Sequence, residues 1–279
     1  DDTTQQFAGQ PMTFGLIETI ETDDGGSDDI DTLGGDDIIL GGYNDFDGDA
    51  SVVEMIDAGE GNNIVIGDNG YIDWSAGDSG RIYAATTTAG GSLPGDDTAA
   101  SDIDRIFSTA PSDGGTDQIT TGDGDDIVIG GTAGDTITVN DGDNLVIGDN
   151  GQITAASSHG PQLAGQPMTF GLIETIAYGI GDVDTITGGT GYDIVLGGHG
   201  DDTITVSDLS LDTLIDALGG DNNIVLGDDG KIDYTRADRA SVPGADTNAA
   251  DIDLIESTST AAAGGMDTIT TGDGDDIII

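Results

Sequence analysis

The chain has 279 residues, of which 55 are Asp or Glu and five are Lys or Arg, so its formal net charge is −50. This charge argues against nucleic acid and anionic lipid as partners and favours bound cations, because a compact body so charged repels itself. Six of the acidic residues are Glu and the other 49 are Asp, beside 48 Gly and no Cys. Because Asp and Gly favour turns, the composition predicts many turns rather than acidic helices.

Several familiar classes of protein lack support in the sequence. No apolar run approaches the ~18 residues of a membrane helix, which predicts no membrane insertion, and no signal peptide is present. His159 and His199 have no neighbours at metal-site or triad spacing, and no phosphate loop or dinucleotide motif occurs. The sequence therefore predicts no enzyme activity. The absence of Cys suits an extracellular chain stabilised by metal rather than by disulfides.

In chain order, a long unit recurs about every 80 residues. Each unit is predicted to begin with an amphipathic strand of pattern I-[ED]-x-I, continue through a block of short repeats, and end in a G-D-[ND]-G turn and a polar linker. The strands begin at Ile17, Ile103, Ile173 and Ile252. The predicted units are 1–101 with a block at about 25–66, 102–171 with a block at about 115–147, 172–250 with a block at about 182–226, and a truncated unit at 251–279, which indicates a longer array.

The G-D-[ND]-G segments contain the pairs Asn69-Gly70 and Asn150-Gly151. Both residue types accept positive φ, so these pairs predict tight turns between strands. The linkers that follow are rich in Ala, Thr, Ser, Gly and Pro, and they predict exposed, irregular loops.

Residues 188–196 and 197–205 are successive copies of the nonapeptide G-G-x-G-x-D-x-U-x, where U is a large apolar residue. This pattern is typical of a calcium-binding β-solenoid. Each copy is a turn followed by a short strand, so copies one and three of a block should stack, as should copies two and four. The sixth positions are Asp28, Asp37 and Asn63 in the first unit, Asp117, Asp126, Asp135 and Asn144 in the second, Asp184, Asp193, Asp202 and Asn223 in the third, and Asp267 and Asp276 in the fourth.

The strand positions predict which surfaces are buried. The eighth positions should form a narrow aliphatic core: Ile119, Val128, Ile137, Val146, Ile186, Val195, Ile204 and Val225. The flanking seventh and ninth positions are polar on copies one and three and apolar on copies two and four. One sheet should therefore face water while the other needs a cover, for which the I-[ED]-x-I strands and the segments after G-D-[ND]-G are the nearest candidates.

The turn chemistry suits a hard cation. Ca²⁺ takes six to eight oxygens, which turn carbonyls and short Asp carboxylates can supply, whereas Mg²⁺ demands tighter octahedral geometry. Asn63, Asn144 and Asn223 offer a neutral oxygen instead, so the second site of each unit should be weaker or a structural cap. The run from Asp45 to Asp49 fits either an irregular calcium site or an acidic surface excursion, and is expected to replace the third nonapeptide of the first unit.

These nonapeptides resemble the repeats-in-toxin (RTX) family, whose fold is a parallel β-roll with calcium between stacked turns. The resemblance covers roughly half of the chain and is strongest at residues 188–205. It implies secretion by bacteria and folding in extracellular calcium. By position, the implied carboxylate ligands are Asp28, Asp37, Asp117, Asp126, Asp135, Asp184, Asp193, Asp202, Asp267 and Asp276, and the implied carbonyl ligands are those of Gly188, Thr190, Gly197 and His199.

The expected fold is all-β, with short calcium-binding β-roll blocks alternating with covering strands and loops. The expected function is a calcium-rigidified structural segment of a large secreted bacterial surface or matrix protein, able to form filaments. Its partners would be copies of itself or adjacent repeats, together with a cell-surface or matrix ligand. Two alternatives stay open: an adhesin module that binds a receptor, glycan or ice, and an accessory tail of a secreted enzyme or toxin.

Overall fold

The computed structural model describes residues 14–44, 53–74, 103–156, 167–206, 222–235, 251–259 and 264–279. Within these segments the chain contains strands and no helix, and the strands form three sheets of seven strands each. The expected all-β class is therefore confirmed. No helix long and apolar enough to cross a membrane occurs in the described segments.

Two of the sheets are parallel. The outer sheet contains, in spatial order, β2 (Asp29–Asp31), β4 (Val53–Gly59), β8 (Thr116–Thr121), β10 (Thr136–Thr138), β14 (Thr185–Gly188), β16 (Thr203–Val206) and β20 (Thr268–Thr271). The middle sheet contains β3 (Ile38–Leu40), β5 (Ile64–Ile66), β9 (Ile127–Gly131), β11 (Leu145–Asp149), β15 (Ile194–Gly198), β17 (Ile224–Asp228) and β21 (Ile277–Ile278).

The third sheet is antiparallel and is called the cover sheet. It contains, in spatial order, β1 (Leu16–Glu18), β6 (Gly70–Asp73), β7 (Arg105–Ser108), β12 (Gly151–Ala155), β13 (Phe170–Thr175), β18 (Gly230–Asp233) and β19 (Leu254–Ser257). Its strands are the predicted covers, because they belong to the I-[ED]-x-I segments or follow G-D-[ND]-G directly. The covering role of both segments is confirmed.

The chain visits the three sheets in a fixed order. In the second unit it runs from β7 in the cover sheet through β8, β9, β10 and β11, which alternate between outer and middle sheets, and returns to the cover sheet in β12. Gln118 of β8 pairs with Thr136 of β10, and Ile127 of β9 pairs with Leu145 of β11. The expected stacking of copies one and three, and of two and four, is confirmed.

Successive blocks are joined rather than separate. In the outer sheet β4 pairs with β8 and β10 with β14, while in the middle sheet β5 pairs with β9 and β11 with β15. The sequence analysis considered stacking within a block only and did not anticipate this pairing between blocks. A lone block would leave unpaired backbone groups on two edges, and pairing with the next block satisfies them.

Two apolar layers separate the three sheets. The eighth-position side chains fill the layer between the outer and middle sheets, and Ile119, Val128 and Ile137 are fully buried there, as predicted. The apolar seventh and ninth positions of the middle sheet pack against the cover sheet. The cover-sheet residues buried in this second layer include Ile72, Ile106, Ile153, Ile173 and Ile232.

The G-D-[ND]-G segments turn the chain from one sheet to another. They connect β5 to β6 and β11 to β12, so each crosses from the middle sheet to the cover sheet. Asn69, Gly70, Asn150 and Gly151 are not among the described residues with positive φ, and the predicted positive-φ turn was wrong. The Asn69 amide instead donates to the carbonyls of Thr22 (3.1 Å) and Asp113 (2.7 Å). These two hydrogen bonds hold the connection between β5 and β6 in place.

Candidate cation-binding edges

Sixth-position acids form a column along one edge of the paired parallel sheets, where the chain enters the outer strands. This acid column consists of Glu54, Asp117, Asp135, Asp184, Asp202 and Asp267. From Asp135 onward, each Asp accepts a backbone hydrogen bond from the column residue on the preceding strand of the sheet. Thus Asp117 N–H donates to Asp135 Oδ1 at 2.8 Å, and Asp135 N–H donates to Asp184 Oδ1 at 2.7 Å. The same ladder continues from Asp184 to Asp202 at 2.9 Å and from Asp202 to Asp267 at 3.0 Å.

The second carboxylate oxygens of this column are buried without a donor. Among the described residues, no hydrogen bond reaches Oδ2 of Asp117, Asp135, Asp184 or Asp202, or either carboxylate oxygen of Glu54. These side chains are at most 2% exposed. A buried polar oxygen without a partner is costly, so this row of oxygens fits a positive ligand that the protein itself does not supply.

Backbone carbonyls face the same oxygens. A Cβ placed on Gly130 would lie 2.6 Å from Asp135 Oδ2 and would also collide with the carbonyl of Gly148. A Cβ on Gly148 would likewise collide with Asp184 Oδ2 and the carbonyl of Gly197. Glycine therefore leaves a space between layers into which a carboxylate oxygen and a carbonyl oxygen both point. Oxygen donors of these two kinds are the ligands that Ca²⁺ prefers.

The column is electrostatically strained without a cation. Burial, followed by the charges of Asp68 and Glu54, raises the pKa of Asp117 to about 9. Burial also raises the pKa of Glu54 to about 8 and that of Asp202 to about 7. The pKa values of Asp135 and Asp184 are raised well above the usual value, chiefly by burial. Bound cations would reverse these shifts by stabilising the ionised carboxylates.

The opposite edge carries a different set of sixth positions. This mixed column alternates acid and amide and consists of Asp37, Asn63, Asp126, Asn144, Asp193, Asn223 and Asp276. Its backbone ladder matches that of the acid column: Asn63 N–H donates to Asp126 Oδ1 at 2.8 Å, and Asp126 N–H donates to Asn144 Oδ1 at 3.0 Å. The sequence analysis anticipated neutral oxygens at the Asn positions but not their regular alternation along one continuous edge.

The four predicted carbonyl ligands divide into two pairs. Gly188 and Gly197 lie beside carboxylates, since a Cβ on Gly188 would be 2.5 Å from Asp193 Oδ2 and one on Gly197 would be 2.6 Å from Asp202 Oδ2. The Thr190 carbonyl already accepts a hydrogen bond from Gly142 N–H at 2.8 Å. The backbone N–H of His199 donates to Asp149 Oδ2. The structure therefore brings Gly188 and Gly197 to the columns and gives Thr190 and His199 contacts with neighbouring turns.

The remaining predicted carboxylates lie at the two ends of the columns, where their side chains are more exposed to solvent. Asp28 and Asp37 lie in the first layer, where Asp28 is exposed and Asp37 is half-buried. Asp267 and Asp276 lie in the last described layer and are half-buried. The run from Asp45 to Asp49 lies outside the described residues.

Glu54 is a candidate ligand that the sequence analysis missed. It pairs with Asp117 across β4 and β8, which places it at the sixth position of the third copy in the first unit. Strand β4 therefore takes the place that was assigned to the run from Asp45 to Asp49, and that assignment was wrong. A signal was present, because Glu54 precedes the buried Ile56 by two residues, as Asp precedes the eighth position elsewhere.

The acids of the G-D-[ND]-G segments were missed as well. Asp68 accepts a hydrogen bond from Gly115 N–H at 3.0 Å and another from Thr132 N–H, and Asp228 accepts one from Gly265 N–H at 2.8 Å. Like the contact between Asp149 and His199, each bond links one unit to the next. Burial raises the pKa of Asp68 to about 7 and that of Asp149 to about 10. The hydrogen bonds that these acids accept therefore link each unit to the next.

In the described part of the chain, no group of three or more acidic or histidine side chains converges closely enough to bind a metal by itself. A cation at either edge must therefore combine few carboxylates with backbone carbonyls. Comparisons with protein-family models, with curated proteins and with solved structures return no match for this chain.

Proposed function

We propose that this chain is a calcium-rigidified structural segment of a secreted bacterial surface or matrix protein, folded as a β-roll of the RTX type with an added cover sheet. The observation that carries the proposal is the row of buried, unpartnered carboxylate oxygens in the acid column. Alternation of the chain between two parallel sheets supports the β-roll. The sequence period of nine supports the same interpretation.

Calcium is the cation that suits these edges best. The available donors are carboxylate and carbonyl oxygens, with neither Cys in the chain nor His in either column, which disfavours zinc and other soft-ligand metals. Flexible coordination at about 2.3–2.6 Å tolerates donors taken from successive layers, whereas Mg²⁺ requires a tight octahedron. In this proposal the ions are bound by Glu54, Asp117, Asp135, Asp184 and Asp202, together with glycine carbonyls.

The chemistry of such ions here is structural. Bound cations would neutralise like charges that lie one above another, and they would stabilise the stacking of successive layers. The outcome is a rigid array whose open edges accept an adjacent repeat or another copy of the chain, which would extend it towards a filament. No constellation in the described residues suggests catalysis, and the proposal includes none.

The first prediction tests calcium dependence. Removal of calcium by a chelator should convert the far-UV circular dichroism spectrum from strand-like to largely disordered, because repulsion in the acid column is then uncompensated. Addition of millimolar calcium should restore the strand signal. In calorimetric titrations, Asp135→Asn should reduce the amount of calcium bound, because it removes a charged oxygen from the column.

Asp123→Asn is the matched control for this experiment. Asp123 lies in a turn of the same kind, yet its side chain is exposed and outside both columns. It should leave calcium binding unchanged, although it removes the same charge. A spectrum that stays strand-like in excess chelator, or equal effects of the two substitutions, would contradict the proposal.

A second candidate function rests on the exposed face of the outer sheet. Threonines at the ninth positions align in one continuous rank, formed by Thr120, Thr138, Thr187, Thr205 and Thr270. Because successive units pair edge to edge in the outer sheet, the rank extends beyond any one unit. A regular hydroxyl rank favours an adhesin that binds an ordered surface such as ice.

The second prediction tests that candidate. Thr187→Tyr together with Thr205→Tyr should abolish incorporation of the calcium-loaded protein into growing ice, because bulky side chains interrupt the rank. Ser112→Tyr places the same side chain on an exposed turn outside the outer sheet and should have no effect. Exclusion of the wild-type protein from ice would refute the candidate and leave the structural proposal intact.

A further inference from the structure

The Asn side chains of the mixed column make an unusual set of contacts. The Asn144 amide nitrogen lies 3.1 Å from the carbonyl of Asn140, 3.1 Å from that of Gly142 and 3.0 Å from Asp193 Oδ1. It therefore donates to two carbonyls of its own turn and to a carboxylate of the next layer. Asn144 is completely buried.

Asn63 repeats this arrangement one unit earlier. Its amide nitrogen lies 3.1 Å from the carbonyl of Gly59, 2.9 Å from that of Gly61 and 3.1 Å from Asp126 Oδ1. Two turns separated by a whole unit thus place an amide nitrogen among three equivalent oxygens, which are two carbonyls of its own turn and one carboxylate oxygen of the neighbouring strand. The recurrence shows that the contacts follow from the fold rather than from one local sequence.

The acid column offers a direct comparison at the same layers. In the mixed column, the backbone N–H of Asn144 donates to Oδ1 of Asp193, 49 residues later. In the acid column, the backbone N–H of Asp135 donates to Oδ1 of Asp184, also 49 residues later. Both pairs lie between the second and third units. In the mixed column the side-chain amide of Asn144 faces the carboxylate of Asp193. In the acid column the carboxylate of Asp135 stands where that amide would be.

Carbonyl and carboxylate oxygens that surround an amide nitrogen are also suitable ligands for a hard cation. We propose that the amide nitrogens of Asn63 and Asn144 occupy positions that cations would otherwise take, so that calcium binds along the acid column while these turns of the mixed column close without metal. The inference rests on the proposed function, because it specifies which turns bind calcium and which do not. Asp126 and Asp193, which resemblance implied as ligands, then each accept from an amide through Oδ1. Within the described residues, Asp126 Oδ2 is buried without a hydrogen-bond partner, as in the acid column, so the inference concerns only the turns that carry Asn63 and Asn144.

The proposal makes Asn144 a residue that excludes a cation. Asn144→Asp removes the two N–H donors and adds a carboxylate while keeping nearly the same shape. Two turn carbonyls and Asp193 Oδ1 then lose the amide donor, although Asp193 Oδ1 keeps the backbone N–H of residue 144, and calcium can take the place of the amide nitrogen. We expect this variant of the whole chain to bind about one calcium ion more than the wild type in equilibrium dialysis, since a single cation position is opened.

Asn140→Asp is the matched control. Asn140 belongs to the same turn and gains the same charge, but its exposed side chain donates to Thr121 outside the position of the Asn144 amide. This variant should bind the same number of ions as the wild type. Reversal of the pair, with Asn144→Asp and Asp193→Asn combined, tests whether the gained site needs both carboxylates and should return binding to the wild-type number.

The outcomes separate the inference from the function on which it rests. A wild type that binds no calcium overturns the proposed function. A wild type that binds calcium, beside an Asn144→Asp variant with unchanged stoichiometry, overturns the inference alone. An Asn144→Asp chain that stays unfolded in excess calcium also overturns it, because calcium has then failed to replace the amide. Asn63→Asp repeats the test at a second unit junction.

Discussion

At the scale of single residues, the glycine that directly follows positions seven to nine of a middle-sheet strand leaves space beside the carboxylates of the acid column. Gly130 has a backbone that leaves room between Asp135 Oδ2 and the Gly148 carbonyl, and any Cβ would enter that room. Such contacts matter because the oxygens concerned must stay free to coordinate. The absence of a side chain is therefore part of the proposed site.

The prediction that follows concerns Gly130→Ala. The added methyl group should weaken calcium binding about tenfold or more and lower the denaturation midpoint in calcium, since overpacking of a close-packed interior costs about 1–3 kcal/mol. Calcium titration and chemical denaturation of the whole chain measure the two effects. Gly26→Ala is the control, because no heavy atom lies within 4 Å of its Cβ position. Similar effects of both substitutions would contradict the assignment of this space.

Individual residues also show where sequence reasoning succeeds. The eighth positions could be predicted, because Ile and Val at a fixed place in a short repeat have only the interior to face, and Val146 and Val195 are indeed fully buried. Asp68 and Asp149 could not be predicted in the same way. Their partners lie in the following unit, and nothing in a period of nine residues records which backbone N–H groups come to meet them.

At the scale of elements, the polarity of the positions beside the core decided which sheet is covered. Thr136 and Thr185 lie on the outer sheet facing solvent, whereas Ile129 and Ile147 of the middle sheet lie beneath the cover sheet. The cover could be predicted because exposed rows of Ile and Leu are unfavourable in water. It is a consequence of alternation along each strand rather than of any contact between distant residues.

The joining of blocks could not be derived from one unit. Strand β10 pairs with β8 on one side and with β14 on the other, and the sequence of one nonapeptide fits either neighbour equally well. The period of nine residues within one unit does not record which strand of the next unit lies beside it. For the same reason the sequence predicted a pair of stacked layers per unit and not one continuous sheet.

At the scale of the whole molecule, the acid column and the buried acids that link the units make stability depend on pH in a way that calcium reverses. Without metal, burial holds the pKa of Asp117 near 9, that of Asp149 near 10 and that of Asp68 near 7, all above the ordinary value of 3.8. A group whose pKa is raised by folding stabilises the fold in its protonated form. That contribution is complete below the unfolded pKa and is lost as the pH rises through the folded pKa.

The metal-free chain is therefore expected to become less stable as the pH rises from about 4 towards about 9, and more stable as the solution is acidified within this range. The calcium-loaded chain should behave oppositely. Its ligands bind the ion only as carboxylates, so protons compete with calcium and acid should release the metal. The two sets of stabilities should approach each other at low pH, where neither ion binding nor carboxylate repulsion remains.

The folded fraction measured by circular dichroism in calcium-free buffer, and the thermal unfolding midpoint in millimolar calcium, measure both trends across this pH range. The Glu54→Gln variant sharpens the test, because it removes from the column a carboxyl group whose pKa burial raises to about 8. Its metal-free stability should depend less steeply on pH near neutrality than that of the wild type. Parallel trends with and without calcium would show that these buried carboxylates do not bind the ion, since coordination must reverse the sign of their contribution.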